Sequence, residues 1–355
     1  MKLRLPSEYS LIGDLNNGLR LKSKDTELII QPIDRNVVRV THVPKGANYR
    51  NTANPVLKGA VLNESCSQIE YNLPDGLMLK INRKDGAVSW YPTLSAPVPF
   101  LQDLPIRAYE HDLHSGAHHY TCYRPDNYYY GMGEHSSPLR LNSKTFPLKC
   151  IDALGYEAEL TNTMYKHTPM YISLDENGGC YGVLYTTKCE GEIGFGGEID
   201  GIWGPYVHFR SASPVLEYFV IFGNVKDVIR NIAKLVGCPA RVPKYALGYL
   251  ASSMGYAENE DAQRLIEEFP ELCRENKIPC DVMHLSSGYT YTNDQRNVFT
   301  WNTSRFPDAA SMFKNLASRG IRCVVNVKPW LLVSHPMYET LAKQGGFIHD
   351  PEVLQ

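Results

Sequence analysis

The groups best placed to do chemistry lie in one stretch, Ile278-Pro279-Cys280-Asp281-Val282-Met283-His284-Leu285-Ser286-Ser287-Gly288-Tyr289-Thr290. An apolar run there ends in small polar residues. A strand that ends this way can offer an imidazole and hydroxyls to a polar ligand. Strand alternation puts Val282, His284 and Ser286 on one face and Asp281, Met283 and Leu285 on the other. If His284 and Ser286 face a pocket, Asp281 faces the covering layer and is expected to be a hydrogen-bonded structural acid, not a catalyst. The strand pattern reads His284 equally as a ligand group and as a satisfied core histidine. Val327-Lys328-Pro329-Trp330 ends the next apolar run. Lys328 could meet a polar substrate and Trp330 could stack on a sugar face. The plainer reading is a solvated lysine and a lid on the core. Phe299-Thr300-Trp301-Asn302 divides the same way, with loop packing at least as good an account.

Other constellations carry less. Glu110-His111-Asp112-Leu113-His114, with His118 and His119, is rich in metal-ligating side chains. Its spacing fits neither a helical H-E-x-x-H nor a finger pattern, and it falls in an expected loop, so no metal is assigned. No phosphate-binding G-x-x-x-x-G-K-[ST] occurs, and Gly194-Phe195-Gly196 lacks the third glycine and the following helix of a dinucleotide loop. No G-x-S-x-G elbow occurs either. The chain is expected to use no cofactor.

Two kinds of element must position these residues. Up to about residue 235 the chain reads as short strands separated by turn signals. Val37–Val43 is β-branched. Gln68–Leu73, Leu77–Asn82 and Ala87–Tyr91 are separated by Pro74-Asp75-Gly76 and Lys84-Asp85-Gly86, which is a meander. Thr168–Leu174, Cys180–Thr187 and Val215–Phe222 follow, and few helical periods appear. This predicts a β-sandwich domain over residues 1–237. Beyond Cys238-Pro239-Ala240-Arg241-Val242-Pro243 the texture changes. Strand-like Tyr245–Ser252, Ile278–Leu285 and Ile321–Val327 alternate with helical stripes over Glu260–Asn276, Asp308–Ser318 and from Pro336 to Gly345-Gly346. Pro270 should kink or split the first of these helices. Residues 243–355 thus supply about three β/α units with parallel strands, whereas a (β/α)8 barrel needs eight.

Composition excludes several classes. Hydrophobic residues are 43%, charged residues 21%, and Lys+Arg 36 against Asp+Glu 38 gives a net charge of -2. That is no disordered chain, and there is no basic excess for nucleic acid. No signal-peptide core or apolar run of spanning length is present. With nine scattered cysteines and no C-x-x-C, we read a reduced, cytoplasmic chain without membrane contact. The 23 Tyr against 11 Phe suit a surface that meets polar ligands or, more plainly, edge and rim strands.

From Tyr130 onward the chain resembles glycoside hydrolase family 31, the α-glucosidase and α-xylosidase family. The resemblance rests on Tyr130-Gly131-Met132-Gly133-Glu134, Met164-Tyr165-Lys166-His167-Thr168-Pro169-Met170-Tyr171-Ile172, Ile278-Pro279-Cys280-Asp281-Val282, Phe299-Thr300-Trp301-Asn302, Arg305-Phe306-Pro307-Asp308 and Lys328-Pro329, in this order. It implies an N-terminal β-sandwich followed by the first part of a (β/α)8 TIM barrel. It also implies a retaining enzyme acting on an α-linked oligosaccharide or glycoside. In such an enzyme one carboxylate attacks the anomeric carbon and another protonates the leaving oxygen, ~5–5.5 Å apart. The family takes both aspartates from later strands than the three read here, so no catalytic residue is assigned, and Asp281 and Asp308 are not given those roles. What carries over is substrate binding. Where many members have Asp-x-Asp-Tyr, this chain has Ser286-Ser287-Gly288-Tyr289, so a neutral hydroxyl replaces a carboxylate in the -1 subsite. Met254 and Tyr256 after the first barrel strand, and Asp152 on a sandwich loop, fall at matching positions. With His284, Lys328 and Trp330 they complete the expected substrate-binding set. An α-glucan lyase or transglycosylase, and a non-catalytic carbohydrate-binding or structural protein, are the alternative readings.

Overall fold

The computed structural model describes residues 8–13, 18–50, 57–74, 76–114, 116–157, 164–198 and 201–348. The chain divides into two compact units, residues 1–238 and 239–355.

The first unit is built from antiparallel sheets. Val37–Pro44 pairs with Thr26–Asp34 on one side and Leu216–Gly223 on the other, and Cys180–Tyr185 and Met170–Leu174 extend an eight-stranded sheet. Tyr109–Asp112, Gly116–Cys122, Tyr206–Ser211, Gly191–Phe195 and Thr145–Leu148 form a five-stranded sheet. The expected meander forms a further sheet through Gln68–Asn72, Met78–Asn82 and Val88–Tyr91. The histidine-rich segment expected as a loop is instead a hairpin of two strands, Tyr109–Asp112 and Gly116–Cys122. Alternation therefore separates its groups. His111 and His119 are buried, whereas His118 stacks on His208 at 5.2 Å in company with Tyr120.

The core is unusually polar for its depth. Tyr9, Tyr71, Tyr109, Tyr129, Tyr171, Tyr185 and Tyr218 are among the largest fully buried side chains. The tyrosine surplus therefore builds the interior, not only rims. Asp103, 1% exposed, is the hub. One of its oxygens accepts from the Val88 amide at 2.9 Å and from the Tyr109 hydroxyl, and the other meets His119 Nε2 at 3.0 Å. His119 Nδ1 lies 2.9 Å from the Tyr185 hydroxyl, and Tyr109 and Tyr218 hydroxyls are 2.9 Å apart. Burial holds the Tyr109, Tyr185 and Tyr218 phenols well above their ordinary range.

One helix, Val225–Val236, escapes the strand reading of this unit. Its signals were present. Asn224 caps it by accepting from the Asp227 amide at 3.0 Å, and Val228, Ile232 and Leu235 recur at helical spacing. These pack on Val37, Ile172, Cys180 and Ile221 of the large sheet.

The second unit holds a three-stranded parallel sheet. Its first strand, Leu250–Ser252, and third strand, Arg322–Val325, flank the second, Val282–Leu285. The strands are shorter than expected. Lys244–Leu247 is a 3-10 turn, and regular pairing ends at Val325. A helix spans Ala262–Glu275 unbroken, with Pro270 buried inside it, so the expected split does not occur. Pro270 forfeits one backbone bond and crowds the carbonyl four residues before it, yet the residue is buried and the helix continues. Asp308 caps the next helix, Ala309–Ser318, accepting from Ser311 N at 2.9 Å, and Gly320 follows at φ +82°. The last helix is Tyr338–Lys343. Met283 and Leu285 pack with Ala262, Ile266, Met312 and Leu316 of the helices. Strand alternation then turns Val282 and His284 to the opposite face.

Buried imidazoles make the sandwich acid-sensitive. Burial lowers His111 to about 4 and His208 to about 3, and puts His42 well below its ordinary 6.5. The unfolded chain takes up these protons first, so the stability they confer is full above about pH 6.5 and declines as pH falls toward 4. The melting temperature of the chain should drop by about 5 °C or more between pH 7 and pH 5. Calorimetry showing a flat profile across that window would refute this account.

Candidate functional site

The parallel strands release their chains along one edge of the sheet. Ser252, His284 and Val324 stand in register there. Ser253 caps a short helix, Met254–Ala257, through a 3.1 Å bond from the Gly255 amide, which puts Met254 and Tyr256 just beyond the first strand. Ser286 precedes the 3-10 turn Ser287–Thr290 beyond the second. Asn326, Lys328 and Trp330 follow the third. Eight of the nine sequence-derived candidates thus gather on the exit side of one sheet.

Their surroundings divide them. Tyr289 is 3% exposed, its ring lies 4.7 Å from Trp301, and its hydroxyl donates to the Asn326 carbonyl at 2.9 Å. It ties the exits of the second and third strands together. Ser287 is buried and its hydroxyl accepts from Arg296 Nε at 3.1 Å. Tyr256 turns toward the helix layer and meets Phe269 edge-on at 5.5 Å. Trp301 packs against Phe306 and Phe313, as the loop-packing reading requires. Five groups stay available at the edge. His284 and Ser286 are half-buried, and no side-chain cap bond holds Ser286. Lys328 Nζ stands 5.3 Å over the Trp330 ring, which is 53% exposed. Met254, 52% exposed, adds an apolar contact.

The ninth candidate, Asp152, belongs to the first unit, where it is exposed and accepts a hydrogen bond from Tyr165. That carboxylate raises the Tyr165 phenol, chiefly through the bond itself. Asp281 departs from expectation. Its backbone is bonded, the amide to Tyr249 and the carbonyl from Arg322, but its carboxylate lies against Gly248 without a side-chain hydrogen bond among the described residues.

Three supporting residues were not foreseen. Arg296 donates to Ser287 and, at 2.5 Å, to Glu258, which caps the end of the Met254–Ala257 helix. Its guanidinium also covers the Tyr291 ring at 5.0 Å. A single cation therefore clamps the exits of the first and second strands. Asn326 presents a buried Oδ1 without a partner among the described residues, beside the carbonyl that holds Tyr289. No local pattern marks Arg296, Glu258 or Asn326, because each acts on a residue far along the chain. Gly288 has a clearer cause. A Cβ there would stand 3.1 Å from the Ala257 carbonyl, so the two exit loops approach only because the side chain is missing.

This architecture matches known proteins in both units. The model of the glycosyl hydrolase 31 N-terminal galactose mutarotase-like domain matches residues 27–193, and that of the glycosyl hydrolases family 31 TIM-barrel domain matches residues 239–354. The chain belongs to glycoside hydrolase family 31. Its fold is the family's N-terminal β-sandwich followed by part of its TIM barrel. Among curated relatives of family 31 type, neutral alpha-glucosidase AB of Sus scrofa is 27% identical over 242 residues, covering 62% of this chain and 25% of its own length. Alpha-xylosidase of Emericella nidulans is 29% identical over 220 residues, covering 62% of the chain and 26% of its own length. The chain therefore spans about a quarter of the length of the curated relatives it matches. A family 31 dextranase of Flavobacterium johnsoniae, solved with isomaltotriose, superposes with a TM-score of 0.76 at 22% identity, over 97% of this chain and 40% of that one. The glucosidase II alpha subunit gives 0.78 at 16% identity, over 97% and 46%.

Replacing Tyr289 by phenylalanine keeps the ring but removes the donor to the half-buried Asn326 carbonyl. Tyr289→Phe should cost about 1 kcal/mol, read as a lowered urea midpoint with an unchanged slope. An unchanged midpoint would show that this bond does not hold the strand exits.

Proposed function

We propose that this chain forms the sandwich, over residues 1–237, and the opening of the catalytic barrel, over residues 243–355, of a retaining α-glycosidase. The reading places a sugar at the exit edge of the parallel sheet. The observation that carries it is the set of side chains there with no hydrogen-bond partner among the described residues, His284, Ser286, Lys328 and the Asn326 amide oxygen, beside the exposed Trp330 ring. Barrel enzymes bind ligands at this end of their strands. Imidazole, hydroxyl and ammonium groups suit sugar hydroxyls, and an indole face suits the apolar face of a pyranose. Ser287, Tyr256 and Tyr289 support the exits, and Met254 adds an apolar contact at the edge.

In this reading the nucleophile and the acid/base are aspartates beyond the three strands described here. The role of the present residues is to bind and orient. Ser286 is the specificity element. Where a carboxylate would accept charge-assisted bonds from two hydroxyls, a serine gives one weaker neutral contact, which favours a substrate other than a tightly gripped α-glucoside. Neutral alpha-glucosidase AB and alpha-xylosidase among the relatives span that range of sugars by name. We place the protein in the cytoplasm. Among the described residues no helix is long and apolar enough to cross a membrane.

Kinetics on the longer polypeptide that carries both aspartates test this. Ser286→Ala should lower kcat/KM on an aryl α-glycoside by about tenfold, the worth of one polar contact near 1.4 kcal/mol. The 355-residue chain alone should release no product. Unchanged kinetics in the variant would remove Ser286 from the subsite, and turnover by the 355-residue chain would overturn the assignment of the catalytic groups.

A further inference from the structure

We propose that Cys273 and Cys280 form a reactive dithiol, a modification site that takes up low-molecular-weight disulfides and closes into an intramolecular disulfide.

The two cysteines come together through local chain geometry. Cys273 lies in the last turn of the helix Ala262–Glu275, and Cys280 lies just before the second strand. Between them the chain reverses. Lys277 adopts φ +57°, and the Ile278 amide donates to the Cys273 carbonyl at 2.9 Å. This returns the backbone past the helix end and brings Cys280 back beside the helix turn that carries Cys273. Cys280 is further oriented by contacts of its Sγ to the Val282 carbonyl at 3.6 Å and the Tyr249 carbonyl at 3.8 Å. Both cysteines line a cleft of about 910 Å³ between the two helices, which also touches Ile278, Ile321, Arg274 and Arg319. The cleft opens at the entry side of the parallel sheet, so the site is separate from the sugar-binding edge. All nine cysteines of the chain carry free thiols.

The exposures assign the order of events. Cys280 is half-buried and Cys273 buried, so the attacking thiolate is that of Cys280. It displaces one small thiol from the incoming disulfide and becomes the mixed disulfide, while its proton passes to the departing thiolate. Cys273 then loses its proton and attacks the Cys280 sulfur, releasing the second small thiol. In sum two protein thiols become one disulfide, and one small disulfide is reduced by two electrons to two thiols. Burial raises the Cys273 thiol, so this second step should quicken as pH rises above neutrality.

Peptide mapping of the 355-residue chain decides the matter. The native protein is incubated with oxidised glutathione, quenched in acid, alkylated and digested with trypsin, which cuts after Arg274 and Lys277. The expected product is the Cys273 and Cys280 peptides joined and two hydrogens lighter than their sum, lost on treatment with a reductant. Cys273→Ser should instead leave Cys280 as a lasting glutathione adduct. As a second readout, the wild type should bind one equivalent of a trivalent arsenical, which bridges paired thiols, and the variant should bind none. Recovery of both peptides unlinked from the wild type, alkylated or as separate adducts, would overturn the proposal.

Discussion

Three strands that run the same way must all release their chains at one edge. That constraint organises the second unit. Parallel pairing of Leu250–Ser252, Val282–Leu285 and Arg322–Val325 aligns Ser252 with His284 and His284 with Val324. Residues that are scattered along the chain therefore become neighbours. The helices on one face take Met283 and Leu285, which obliges His284 to point the other way. The exit loops are then held by a few long-range bonds, from Tyr289 to Asn326 and from Arg296 to Ser287 and Glu258. Each residue so engaged is removed from the set that can meet a ligand. What is left is a short list of unspent polar groups.

The sandwich solves a different problem. Its interior carries an aspartate, several histidines and many phenols, all out of water. Each would be costly alone. Asp103 makes them affordable by accepting from Val88, Tyr109 and His119 at once, while His119 and Tyr109 pass the network on to Tyr185 and Tyr218. Stacking adds to this, as in Tyr185 on Phe209 at 3.7 Å. A network of this kind favours one arrangement of the two sheets over near alternatives, because shifting the register would leave several members unpaired.

Legibility varied with the range of the interaction. The turn at Lys84-Asp85-Gly86 and the helical stripe from Asp308 to Ser318 were readable because each depends on a few nearby residues. The face of His284 was readable because strand alternation has a period of two. Strand lengths were not. Tyr245–Leu247 carries a strand-like composition but lies in a 3-10 turn, since pairing partners set where a strand begins. The hairpin Tyr109–Asp112 and Gly116–Cys122 was taken for a loop because its polar residues are satisfied by distant groups rather than by solvent. Pro270 reads as a helix breaker from the sequence, yet the helix runs through it with the residue buried, because tertiary packing of the helix can override a local preference.

By itself the sequence determined the order of the two architectures, the kinship with family 31, and the exit-edge membership of His284, Ser286, Lys328 and Trp330. These follow from local periodicity and from motifs in a set order. Only the tertiary structure decided that Tyr289, Ser287 and Tyr256 are spent on support, that the Asp281 carboxylate has no hydrogen-bond partner among the described residues, and that Arg296 and Asn326 belong to the edge. The physical reason is that a side chain's availability depends on which distant partner reaches it first. That partner is set by folding, not by spacing along the chain.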